Sequence, residues 1–220
     1  MEDMIFINDS FIQQCYADFI TSRIEEKISL CNFTKPITDS NFEAAIIAPL
    51  MQNGENIQYF TGTTKGVVKF LNKQYVLKIP FYNNKRENIW DKCKKEMELY
   101  QKAQNFKVND FFAPVVLITT IANYPIYFQP YCKTMFEYTY KKEVPYFTKQ
   151  QKQKVLDIFQ SYYIYVAINI NWLTDIYVIY GEEKFKMLMT FLKANNIIDL
   201  HEENIGFTAS GNPVIIDYSV

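Results

Sequence analysis

The chain has 220 residues, 49% hydrophobic and 17% aromatic, enough to bury a core and too apolar for a disordered or collagen-like polymer. Its 23 Lys and Arg nearly cancel its 24 Asp and Glu, so no global field draws it to nucleic acid or to an anionic membrane. A single histidine, His201, excludes any multi-histidine metal centre, and the four separated cysteines argue against structural zinc, a redox dithiol or a disulfide framework.

In chain order, Asp9-Ser10 can cap a helical segment in which Phe11, Cys15, Phe19, Ile20, Ile24 and Ile28 recur at three- and four-residue spacing. Asn53-Gly54-Glu55-Asn56 is a turn signal, and after it the pattern changes to short extended runs. Ile57 to Phe60, Val67 to Phe70 and Tyr75 to Ile79 are rich in β-branched and aromatic residues, with Asn72-Lys73 as a tight connection, and predict antiparallel strands. Pro80 ends the third run, and helical spacing returns from Glu87 to about Gln104 through Trp90, Cys93, Met97 and Tyr100. Two further strands are expected at residues 113–119 and 125–129 around a turn at Ala122-Asn123. Thr148 can cap a helix running to about Ile170, Gly181 precedes another to Ala194, and a short hairpin over Ile205-Gly206-Phe207 and Val214-Ile215-Ile216 follows. The most apolar stretch, Ile158 to Tyr180, is broken by Gln160, Asn169, Asn171 and Asp175, short of a membrane span. The acidic start Met1-Glu2-Asp3-Met4 does not read as a signal peptide, so a cytoplasmic protein without membrane or nucleic-acid partners is expected.

The densest chemistry lies in the final segment. Asp199-Leu200-His201-Glu202-Glu203-Asn204 sets a carboxylate and an amide five positions apart on a loop, and the hairpin then returns the chain to a second carboxylate, Asp217. Such a set supplies one base to orient a hydroxyl and two hard oxygen ligands of the kind magnesium prefers, the parts that phosphoryl transfer uses. A lone Asp-x-x-x-x-Asn is by itself most often a pair of loop residues flanking strands.

This segment, D-L-H-E-E-N followed by I-G-F, a turn and V-I-I-D, resembles the catalytic loop and metal-binding segment of the protein-kinase-like superfamily, in the D-L-H-x-x-N form of its small-molecule and antibiotic kinases. The resemblance implies that Asp199 is the catalytic base and that Asn204 and Asp217 hold Mg2+. It implies ATP as cosubstrate and a fold of class α+β: a two-lobed kinase-like fold with a five-stranded antiparallel small lobe, a reduced helical large lobe and an N-terminal helical extension. The corresponding boundaries are 1–55 for the extension, 56–131 for the small lobe and 132–220 for the large one. Val76-Leu77-Lys78-Ile79 resembles the V-A-I-K strand whose lysine meets the nucleotide phosphates. Glu96 or Glu98 would be its acidic partner; the two lie ~200° apart around a helix, and Glu96, sharing a face with Cys93 and Tyr100, is preferred. Thr61-Gly62-Thr63-Thr64-Lys65-Gly66 stands where the family has its phosphate loop, with glycines at Gly62 and Gly66 only, hydroxyls on Thr63 and Thr64, and Lys65 able to add charge. Ile126 to Tyr131 resembles the linker between lobes, where the Gln129 carbonyl and the Tyr131 amide would bind adenine. His201 is expected to pack beside the catalytic loop and to orient it by hydrogen bonds.

The pattern departs from the family at Asp217-Tyr218-Ser219, where D-F-G is usual, in the missing arginine of H-R-D, and in the absence of an activation segment and peptide-docking helices. The expected activity is therefore transfer of the γ-phosphate of ATP to a hydroxyl on a protein or small molecule. The alternatives are a catalytically weak or inactive pseudokinase that binds nucleotide or a partner, and nucleotidyl transfer on the same core. A protein partner or a second copy completing the large lobe is also expected. The abundance of Ile, Asn, Lys, Tyr and Phe suggests an AT-rich genome such as that of a virus or phage, which would place the protein in host cytoplasm.

Overall fold

The structure, a computed structural model, describes residues 10–139, 147–162 and 168–218. Asp9 and the side chains of Phe11 and Cys15 lie outside the described residues. The protein is of class α+β, with a five-stranded antiparallel sheet and several helices. It divides into two compact units: the chain up to Met97 with Val115–Tyr131, and Glu98–Pro114 with the chain from Cys132. No helix among the described residues is long and apolar enough to cross a membrane.

The first unit holds β1 (Ile57–Thr61), β2 (Lys65–Phe70), β3 (Tyr75–Pro80), a small ribbon of β4 (Tyr82–Asn83) and β5 (Asn88–Ile89), and β6 (Val116–Ile121) and β7 (Tyr124–Pro130). The main sheet runs in the order β1-β2-β3-β7-β6. Ala122 and Asn123 both take positive φ, 49° and 71°, the two-residue turn whose twist suits the β6–β7 hairpin.

Alternation along these strands decides what each face carries. Val68, Phe70, Tyr75, Leu77, Ile79, Ile126 and Phe128 face one way and join a core with Phe19, Ile24, Ile28, Phe42, Ile46 and Leu50. Those partners come from α1 (Ser10–Thr21), α2 (Ile24–Ser29) and α3 (Ala48–Gln52) with the irregular turns before α3. Each large apolar side chain buried there is worth about 1.5–3 kcal/mol relative to exposure, so the N-terminal helices form one hydrophobic body with the sheet. Ile20, read from its spacing as a core residue, is half-exposed, because Phe19 takes the inward position.

On the opposite face stand Lys65, Val67, Lys69, Val76, Lys78, Tyr127 and Gln129, as the pairings Val67↔Lys78, Val76↔Gln129 and Lys78↔Tyr127 require. Gly66 belongs to the core face. A Cβ there would stand 2.3 Å from the Phe42 ring, so packing against Phe42 requires a glycine at this position.

Helix α4 (Lys92–Asn105) begins five residues later than the spacing from Glu87 predicts. Asn88 pairs with Asn83 in the ribbon, the Trp90 N–H donates to the Phe81 carbonyl, and Asp91 caps the helix by accepting from the Lys94 N–H at 2.8 Å. The Asp91 carboxylate also accepts from the Tyr127 hydroxyl at 2.5 Å, which ties the start of α4 to β7.

The second unit contains β8 (Lys133–Thr134), α5 (Met135–Thr139), α6 (Lys149–Tyr162), α7 (Ile170–Ala194), β9 (Ile205–Phe207) and β10 (Pro213–Ile215). Thr148 caps α6 through a reciprocal pair: its Oγ1 accepts from the Gln151 N–H, and its own N–H donates to Gln151 Oε1. The expected continuation of α6 toward Ile170 crosses 163–167, outside the described residues. α7 is two helices joined at Gly181, whose φ of 82° and ψ of 168° interrupt the helical backbone. β9 is the middle strand of a three-stranded sheet in the order β10-β9-β8. Trp172 of α7 is fully buried and donates its indole N–H to the Gly206 carbonyl at 3.0 Å.

Asp175, also on α7, is buried, and desolvation alone raises its carboxyl to about pKa 6. A raised carboxylate pKa means that the folded state holds a proton which the unfolded state releases first. Stability is then greatest below the unfolded pKa and falls as pH rises through about 6. Asp175→Asn is expected to match the parent at pH 4 and to be about 2 kcal/mol more stable at pH 7, a rise of roughly 5 °C in Tm. Equal Tm differences at the two pH values would refute the buried-carboxylate assignment.

Candidate functional site

Lys78 occupies the central strand β3, 2% exposed, on the face away from the hydrophobic core. Its ammonium needs a partner, since an unpaired charge at this depth would be strongly penalised. Glu96 supplies it: α4 places Cys93, Glu96, Tyr100 and Ala103 on one buried stripe, and Glu96 Oε2 accepts from Lys78 Nζ at 2.6 Å. Glu98 lies on the exposed side of the helix. Glu96, at 0% exposure, has a second cationic neighbour, because Lys65 Nζ donates to its Oε1. The assembly is thus one carboxylate shared by two lysines from adjacent strands. The sequence marks Lys65 only as extra charge in a loop; the signal that finds it is the alternation of residues 65, 67 and 69 on β2 in register with Lys78.

The turn between β1 and β2 is closed by the Gly62 N–H donating to the Lys65 carbonyl at 3.0 Å. Gly62 and Thr63 are exposed, and the Thr64 carbonyl accepts from the Phe81 N–H at 2.8 Å. Gln129 is buried on the lysine face of β7. The Tyr131 amide, expected to serve adenine, donates instead to the Gln74 carbonyl at 2.8 Å, because the β3–β7 ladder continues one residue past Pro130. Tyr131 also offers its ring to the Lys69 ammonium, 3.7 Å from the centroid.

In the second unit the loop after α7 is organised by Asn204. Its Nδ2 donates to the Asp199 carbonyl at 2.9 Å, its N–H donates to the His201 carbonyl, and its own carbonyl accepts from the Ile216 N–H at 2.7 Å. These bonds fix the segment carrying Asp199 against the strand end that carries Asp217. With the amide nitrogen spent on the loop, the Asn204 Oδ1 is the end left to present, the atom type a hard cation takes. Asp217 is half-buried, and its backbone is anchored by the next residue. Tyr218 is buried, its hydroxyl donates to the Ala113 carbonyl at 2.9 Å, and its ring meets Phe112 edge-on at 5.0 Å. The Asp-Tyr-Ser departure therefore places a polar-tipped anchor beside the carboxylate.

His201 does not pack as expected: its side chain is 48% exposed. It accepts from the Glu203 N–H through Nδ1 at 3.3 Å, while its Nε2 stands 3.6 Å from Asp199 Oδ1, beyond hydrogen-bond range.

Among the described residues no group of three or more His, Cys, Asp and Glu side chains stands together as a metal cage. A magnesium ion bound here would be held by one carboxylate, Asp217, one amide oxygen, Asn204, and the phosphates of its nucleotide, the sparse protein coordination magnesium commonly has. Burial disfavours the thiolates of Cys31 and Cys93, since desolvation pushes Cys31 up to about 12 and raises Cys93 as well. No protein-family model matches the chain, and no curated protein matches it.

Proposed function

We propose that the protein is a kinase-like phosphotransferase with a two-lobed fold, using ATP and Mg2+ to phosphorylate a hydroxyl acceptor. The observation that carries the reading is the buried Lys78–Glu96 ion pair, a strand lysine held by a helix carboxylate on the polar face of an antiparallel sheet. The second support is the loop in which Asn204 ties the Asp199 backbone to the strand end before Asp217.

In this reading Lys78, oriented by Glu96, binds the nucleotide phosphates. Asp199 accepts the proton of the acceptor hydroxyl as that oxygen bonds to the γ-phosphorus; the bond from the γ-phosphorus to the bridging oxygen breaks, and ADP leaves with the electron pair. Asn204 and Asp217 would hold magnesium, which would supply charge neutralisation for the phosphates when bound. A second reading, a pseudokinase acting as a partner-binding module, is favoured by the Tyr131 amide, whose engagement with Gln74 removes one expected donor for adenine.

The test is incubation of the purified protein with γ-labelled ATP, magnesium and a cell lysate, beside Asp199→Ala. A labelled species made only by the parent is the expected result. Identical labelling in both samples would sink the catalytic assignment, and the absence of any transfer by the parent would favour the pseudokinase. A parallel incubation with α-labelled ATP separates the two transfers, because AMP transfer leaves the γ-phosphate in pyrophosphate and labels the acceptor only from the α-position.

A further inference from the structure

Asn169 and Trp172 lie in the most apolar stretch of the chain, and the phosphotransfer reading gives neither a task. Both stand at the start of α7, and both reach the segment that carries Asp199, Asn204 and Asp217. Asn169 caps the helix: its Oδ1 accepts from the Asn171 N–H at 3.0 Å and from the Trp172 N–H at 3.4 Å. Its Nδ2 is turned the other way and donates to Glu202 Oε1 at 2.9 Å. Trp172, at 0% exposure, donates its indole N–H to the Gly206 carbonyl at 3.0 Å. Glu202 and Gly206 flank Asn204 on its two sides in the chain.

The bonds of Asn204 itself do not place it. Among the described residues they run to Asp199, His201, Ile216 and Asp217, all in the same segment, so they fix the segment's shape and not its position within the unit. Position comes from outside. Strand β8 pairs with β9 through Lys133↔Phe207 and Thr134↔Gly206, and the Phe136 N–H donates to the Glu202 carbonyl at 3.3 Å. Gly206 permits that approach, because a Cβ there would collide with the Lys133 carbonyl. The remaining grip is that of α7, a buried indole donor on one side of Asn204 and a cap amide on the other. Outer partners of this kind orient the groups that ligate a metal.

We propose that Asn169 and Trp172 are positioning residues, and that the first turn of α7 sets where Asn204 and Asp217 stand for magnesium. The inference rests on the reading of those two residues as the magnesium ligands and adds to it the part of the fold that aligns them. Asp217 is included because its N–H and that of Ile216 both donate to the Asn204 carbonyl, which couples the two ligands.

The experiment measures, by paramagnetic resonance, the affinity of the protein for the manganese complex of a non-hydrolysable ATP analogue, beside its affinity for the metal-free analogue. The samples are the parent, Trp172→Phe, Asn169→Asp, and Asn169→Asp combined with Glu202→Gln. Trp172→Phe keeps the aromatic bulk and loses the donor, and about a tenfold loss for the manganese complex is expected, as for other partners that orient metal ligands. Asn169→Asp keeps the cap, since the two residues cap equally well, but replaces a donor by a second carboxylate facing Glu202. It is expected to weaken the manganese complex severalfold with an unchanged melting temperature. Adding Glu202→Gln supplies the donor from the other side, and the combined variant is expected to return to within about twofold of the parent. Affinity for the metal-free analogue should hold throughout.

Parent-like affinity in Trp172→Phe or in Asn169→Asp would overturn the proposal. So would equal losses with and without manganese, or a loss in Asn169→Asp that Glu202→Gln fails to restore. A parent that gains nothing from manganese would bring down the reading of Asn204 and Asp217 as ligands, and the role of α7 with it. Should Trp172→Phe fail to fold, the exchange between residues 169 and 202 decides alone.

Discussion

Asp217→Ala is expected to abolish magnesium-dependent ATP turnover, lowering it by a factor of about 10³ or more, since the carboxylate is the one anionic protein ligand in the proposed set. The fold should survive the change. The Asp217 N–H is a backbone donor to the Asn204 carbonyl, at 3.3 Å, and alanine keeps it. Tyr218 remains buried against Phe112 with its hydroxyl on the Ala113 carbonyl, so the segment stays anchored without the carboxylate. Turnover measured across a magnesium titration, together with a circular-dichroism melt, checks both halves. Parent-like turnover with an unchanged melt would remove Asp217 from the mechanism.

The second large effect concerns stability. Glu96→Ala is expected to cost about 3–5 kcal/mol, because it removes the carboxylate that serves two buried ammoniums. For a chain of this size the loss corresponds to a fall in Tm of roughly 10 °C. Lys78→Met leaves Glu96 with Lys65, and Lys65→Met leaves it with Lys78, so each of those changes should cost less than Glu96→Ala. Thermal melts of the three variants decide the matter. A Glu96→Ala protein melting within about 2 °C of the parent would mean that the carboxylate is not the shared partner of both lysines.

In the proposed reading, nucleotide binding and stability meet at one residue, Glu96, in the sheet-bearing unit. The ion-pair cluster sits on the face of the sheet that the hydrophobic helices do not cover, and α4 reaches it because Asp91 both caps the helix and holds Tyr127 of β7. A change at Asp91 would therefore act on Glu96 at a distance, through the position of the helix.

Several local features were determined by the sequence alone. The β-branched and aromatic runs of β1, β2, β3 and β7, the turn at Ala122-Asn123, the Thr148 cap and the break at Gly181 follow from backbone preferences within a few residues of each position, and they are legible without tertiary context. The same holds for the choice of Glu96 over Glu98, since helical periodicity separates the two faces. Helical spacing from Glu87 places the start of α4 too early, because the ribbon pairing of Asn88 with Asn83 competes with it there. What only the tertiary structure decided depends on contacts between segments far apart in the chain. The Phe42 ring, supplied by the N-terminal region, gives Gly66 its reason to be glycine, the Gln74 carbonyl takes the Tyr131 amide, and Ala113 receives the Tyr218 hydroxyl. Lys65 belongs with them: its charge is visible in the sequence, but its shared carboxylate arises only when β2, β3 and α4 are brought into register, because burial and pairing are properties of the packed face and not of the local chain.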